Sequence, residues 1–110
     1  MHAIEESREK INGEPIQTFR RKVEETGTLL EVEAGTNGFK GTSCRKGGSR
    51  SYLKLIIKAG DMMLTPVSNQ EGHVIGIEIA TSGDAALIAI TKALLFVSQV
   101  FDDQIGQAIG

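Results

Sequence analysis

The 110-residue chain has one cysteine, two histidines and two prolines. A single thiol, Cys44, cannot close an internal disulfide, and no second thiol or nearby histidine completes a metal cluster with it. A reducing, cytoplasmic setting is the simplest expectation. The first ten residues, MHAIEESREK, are charged and have no apolar core, so they do not read as a signal peptide. With His2 and His73 as the only histidines, acid–base catalysis has few candidates, and the paired HxT motifs of two-histidine phosphodiesterases are missing. Neither GxxxxGK[ST] nor a GxGxxG that opens a helix occurs. There is no internal repeat. No metal or cofactor is expected, because no ligand set has suitable spacing.

One further absence is local. Between Glu33 and Asp61 there is no acid, while Lys40, Arg45, Lys46, Arg50, Lys54 and Lys58 fall there. The flanks carry all fourteen acids, and the formal net charge is −2. That overall charge argues against a general binder of nucleic acids or membranes; the asymmetry concentrates positive potential at one place. Its centre is GTNGFKGTSCRKGGSR, residues 35 to 50, with five glycines and four Lys or Arg. Glycine admits backbone shapes that turn several N–H groups toward one point, and Lys and Arg add fixed charge. Phosphate is the natural occupant. Arg45, Lys46 and Arg50 are the expected phosphate contacts, with amides at Gly38, Gly41, Gly47 and Gly48 and hydroxyls at Ser43, Ser49, Thr36 and Thr42. Asn37 suits a ribose or base edge, and Phe39 or Tyr52 a base face. The competing reading is a solvated, flexible loop.

The flanking sequence supplies a frame. At 40% apolar and 24% charged, the composition is that of an ordinary globular chain. AIEESREKIN (3–12) reads as a short helix ending at Gly13, and PIQTFRRKVEET (15–26) as a better one, with Ile16, Phe19 and Val23 on one face. Strands are expected over 28–34, 50–58, 62–68 and 73–80 from their alternation. Leu30, Val32 and Ala34 point one way in the first of these, with Glu31 and Glu33 toward solvent. Leu53, Leu55 and Ile57 share a face in the second. Pro66 assigns the third to an edge, and Ile75, Ile77 and Ile79 share a face in the fourth. His73 has their parity and reads as a partly buried structural histidine.

A helix over 84–103 follows, capped by Ser82 or Asp84. Its apolar arc is wider than one sheet contact needs. A membrane span is disfavoured by Lys92 and Gln99 in a run of about 17 residues. Complete burial under four short strands gives too little cover, so contact with another subunit is the preferred explanation. The expected fold is therefore α+β: one domain with a helical segment (1–27), a four-stranded antiparallel sheet (28–80) and a C-terminal helix, assembled as a homo-oligomer.

The run LEVEAGTNGFKGTSCRKGGSRSYLKL, with the later SGDAALIAITKALLFVSQVFDDQ, resembles a group of small proteins from Firmicutes and their phages. In those an EVEAGTTG-like segment precedes a glycine-rich stretch and an Arg-Thr-Tyr strand start. Gly35, Thr36, Gly38, Gly41, Ser43, Gly47, Gly48, Arg50 and Tyr52 fit that pattern over residues 28 to 103. Thr42 and Arg45-Lys46 stand near where the pattern has Asp and His, which argues against an acid–base role for the loop and leaves anion binding intact. In size and in its cationic loop the chain is also similar to phage anti-defence sponges, which sequester nucleotide immune signals.

Together these features point to a non-enzymatic binder of a small phosphate-bearing nucleotide. It would make no contact with a membrane or with extended nucleic acid. Two alternatives stand beside it. One is an oligomeric module whose basic loop docks an acidic protein or a nucleic-acid backbone. The other is a nucleotide-acting enzyme that uses Cys44 or His73.

Overall fold

A computed structural model describes residues 3–39 and 48–109. Six strands precede one helix: β1 (Glu5–Ile11), β2 (Glu14–Glu25), β3 (Thr28–Thr36), β4 (Ser51–Ala59), β5 (Met62–Ser68), β6 (Val74–Thr81) and α1 (Asp84–Ile109). The α+β class and the C-terminal helix agree with the sequence reading. The N-terminal helices do not exist: residues 5–25 form a hairpin of two strands. The turn between them is Asn12-Gly13, with φ of 49° and 82°. Positive φ at both central residues is the tight hairpin turn that Asn-Gly favours. Ile16, Phe19 and Val23 satisfy a helical spacing, but in β2 Ile16 has the opposite parity from the other two and is buried on the other face.

Four strands do form an antiparallel sheet, but its order is β1-β2-β3-β4. The expected third and fourth strands, β5 and β6, pair only with each other. Gly60 causes the separation. Its φ of 124° turns the chain sharply after β4, and a Cβ there would come within 2.8 Å of the Thr28 side chain. The base of the β5–β6 ribbon is then tied by the Ser82 amide donating to the Asp61 carbonyl at 3.0 Å.

The helix packs on β3 and β2. Ala86, Ala89 and Ala93 let it approach closely, and Phe96, Val97 and Val100 meet Val23, Leu30, Val32 and Ala34. Neither Ser82 nor Asp84 is its N-cap. Gly83 holds that position, with its carbonyl accepting the Leu87 amide. The helix also runs six residues past the expected end, which brings Gln104 into the fold.

By length and composition, Asp84–Gln107 would suffice to cross a membrane, although a third of it is buried within the chain. Leu53 has the core parity of Leu55 and Ile57, yet it lies at the exposed end of β4. His73 is exposed at the ribbon tip, where Asn69 Oδ1 accepts its amide and that of Glu71; it is not a partly buried histidine.

The candidate site: a pinned loop neck over a curled sheet

On the face away from α1 the sheet curls until β1 approaches β4. Cross-strand register places Glu5, Arg20, Glu33 and Lys54 in one row over four strands, acid and base alternating. Glu33 is the surprise. Strand alternation assigns it to solvent, but the concave face encloses it, and it is 1% exposed. Thr18 Oγ1 donates to Glu33 Oε2 at 2.6 Å, and Lys54 Nζ lies 3.7 Å from Oε1.

Glu9, on β1, reaches the same carboxylate. Its own carboxyl titrates above the ordinary value of 4.5, first because of its hydrogen bond with Glu33, then through desolvation and the Glu33 charge. Lys54 and Arg20 oppose the shift. A raised folded pKa stabilises fully below the unfolded value, and that stabilisation is lost as pH rises through the folded one. Glu9→Gln, which mimics the protonated acid, is therefore expected to melt higher than wild type near pH 7. The two should converge below about pH 4, as thermal melts at the two pH values would show.

The glycine-rich loop leaves from the end of this trough, where β3 and β4 separate. Its neck is hydrogen-bonded from several directions. The Asn37 amide and Thr36 Oγ1 both donate to the Arg50 carbonyl, at 3.1 and 3.0 Å. The Arg50 amide donates back to Asn37 Oδ1 at 2.8 Å, and the Gly38 amide to Thr36 Oγ1 at 3.1 Å. From the helix, Gln104 Oε1 accepts the Thr36 amide at 2.9 Å while its Nε2 donates to the Gln17 carbonyl on β2 at 2.9 Å. One buried side chain thus ties α1, β2 and β3 together at the neck.

Arg50 closes the mouth of the trough. Its Nε donates to the Ile11 carbonyl at the end of β1, and Nη1 to the Gly48 carbonyl, both at 3.2 Å. Gly38 and Gly48, on either side of the loop, have φ of 84° and 88°, which only glycine adopts readily.

The structure thus brings Asn37, Gly38, Gly48 and Arg50 together at one rim, while Tyr52 stands in β4 opposite Gly35. Asn37 Oδ1 and one edge of the Arg50 guanidinium hold the neck itself. Ser49 is exposed, and Phe39 is 72% exposed. Gly41, Ser43, Arg45, Lys46 and Gly47 lie outside the described residues, as does Cys44. Two surface grooves lie elsewhere. One, of about 530 Å³, lies between β2 and α1 with Arg21, Lys92 and Phe96 among its walls; the other, about 360 Å³, adjoins Glu5, Arg20 and Glu31.

Among the described residues no group of three or more His, Cys, Asp or Glu could hold a metal. Sequence reasoning missed Gln104, Thr18 and Glu9, whose importance depends on which strands are neighbours. No family model matches the chain, and no curated protein or solved structure is similar enough to count as a relative.

Proposed function

We propose that the chain is a non-enzymatic binder of a small nucleotide-like ligand that carries phosphate. Its use would be to sequester a signalling molecule, as phage anti-defence sponges do. The observation that supports this reading is the mounting of the loop. A cationic, acid-free, glycine-rich segment rises from a neck that Gln104, Thr36, Asn37 and Arg50 fix through buried or half-buried hydrogen bonds. Such a neck lowers the entropy lost when the loop closes on a ligand. Arg45 and Lys46 supply charge and the glycine amides supply donors, while Arg50 sets the loop's base. Phe39 and Tyr52 offer ring faces to the nucleoside. In this reading the protein is also a homo-oligomer through the outer face of α1, which keeps Leu87, Ile88, Leu94 and Leu95 at 45% exposure or more.

The experiment is calorimetry with cyclic ADP-ribose, a cyclic dinucleotide and inorganic phosphate. One of the nucleotides should bind stoichiometrically and inorganic phosphate only weakly. Arg50→Ala, by releasing the neck, should weaken nucleotide binding at least tenfold, about 1.4 kcal/mol. If neither nucleotide gives heat, these ligand classes are wrong; if Arg50→Ala binds as wild type does, the neck has no part in recognition.

A further inference from the structure

The β5–β6 ribbon is a two-stranded arm with almost no support from its own chain. Met62, at the base, reaches the core, but Met63, Leu64, Val74, Ile75, Ile77 and Ile79 are all at least 40% exposed. Register gathers Leu64, Pro66, Ile77 and Ile79 on one face. A lone hairpin is marginal in water, and one with a bare apolar face needs a permanent cover.

Its own helix cannot supply that cover. Only Ser82 and Gly83 separate β6 from α1, and the arm makes no extensive contact with helix or sheet. The outer face of α1 is bare as well, with Leu87, Ile88, Leu94 and Leu95 repeating at a seven-residue interval.

The amount of exposed surface fits a large, permanent occupant. A compact chain of 11.8 kDa exposes about 5,900 Å², whereas this one exposes 7410 Å². The excess of roughly 1,500 Å² falls within what one partner buries in an obligate interface, about 1,000 to 2,500 Å² per side. The radius of gyration, 15.8 Å, also exceeds the ~13 Å of a compact chain this long. A cover needed at all times, of obligate size, with a sheet face and a helix face in equal number on every chain, is met by a second copy.

We propose that the β5–β6 arm of one chain packs across the outer face of α1 of a second copy, with the exchange reciprocated about a two-fold axis. This rests on the reading of α1 as an oligomer surface and adds what lies on it. Ile77 and Ile79 of one chain then meet Leu87 and Leu94 of the other, as helix and sheet already meet within each chain.

The test is sedimentation of the wild type, Ile77→Glu and Leu94→Glu, with circular dichroism to confirm folding. The wild type should run as a dimer or a multiple of one, and both variants as folded monomers. A monomeric wild type overturns the arm exchange and the α1 interface together. If Leu94→Glu is monomeric while Ile77→Glu stays dimeric, the α1 interface survives and the arm exchange fails. Because a charged variant can unfold, disulfide trapping gives a second route. In a Cys44→Ser background, chains carrying only Ile77→Cys and chains carrying only Leu94→Cys are unfolded, mixed, refolded together and then oxidised. A band at twice the chain mass containing one of each is the expected result, and its absence from a sample that sediments as a dimer overturns the proposal.

Discussion

Gly35→Ala is expected to destabilise the protein by about 3 kcal/mol or more, the upper end of what overpacking costs. A Cβ at this position would stand 2.3 Å from the Gln17 carbonyl oxygen, 2.7 Å from Thr18 Cγ2 and 2.9 Å from Thr18 Cα. Two of these are backbone atoms of the neighbouring strand, so no rotamer change relieves the clash. β2 and β3 would have to part where Thr18 donates to Glu33 and where Gln104 bridges the two strands. Urea titration should show a lower midpoint with an unchanged slope if the sheet merely weakens. An alanine variant as stable as wild type would mean that β2 and β3 do not approach this closely.

The second large effect is expected at Gln104. Gln104→Leu keeps the size and removes both hydrogen bonds, leaving the Thr36 amide and the Gln17 carbonyl unpaired in a buried place. Each such group costs about 1–3 kcal/mol, so a total loss of roughly 2–6 kcal/mol is expected if both stay dry. Gln104→Glu should be no milder at neutral pH: its carboxylate still accepts from Thr36, but its other oxygen faces the Gln17 carbonyl, acceptor against acceptor, and the charge is buried. Hydrogen exchange at the Thr36 amide provides a local readout: rapid exchange in the leucine variant, with the rest of β3 protected, is the expected pattern. Unchanged protection would show that the neck is held without the helix.

Legibility in the sequence divided along physical lines. β3, β4 and α1 were readable because their apolar spacing fits one period only. Residues 15–26 were not, because Ile16, Phe19 and Val23 fit a helix while β2 buries side chains on both faces. Asn12-Gly13 is the signal for a hairpin there, and it is obscured because a glycine after an apolar run equally suits a helix stop. The exposure of Ile75, Ile77 and Ile79 was hidden for a different reason. Their alternation marks a face without saying what covers it, and that depends on the turn at Gly60. The buried position of Glu33 was equally hidden, since the parity that normally faces solvent here faces the inside of a curled sheet. Of the site, the loop's charge and glycine content were plain from residue types, whereas Gln104 and the Ile11 carbonyl enter it only through tertiary contacts.

The proposal that the loop grips phosphate is tested most directly by what the protein carries. Purified protein, incubated with a mixture of nucleotides, washed and heat-denatured, should release an intact phosphate-bearing molecule in proportion to protein. Mass spectrometry should find that molecule from wild type and not from an Arg45→Ala/Lys46→Ala variant that melts as wild type does. Release from both proteins alike, or of a cleaved product in place of an intact ligand, would contradict the account.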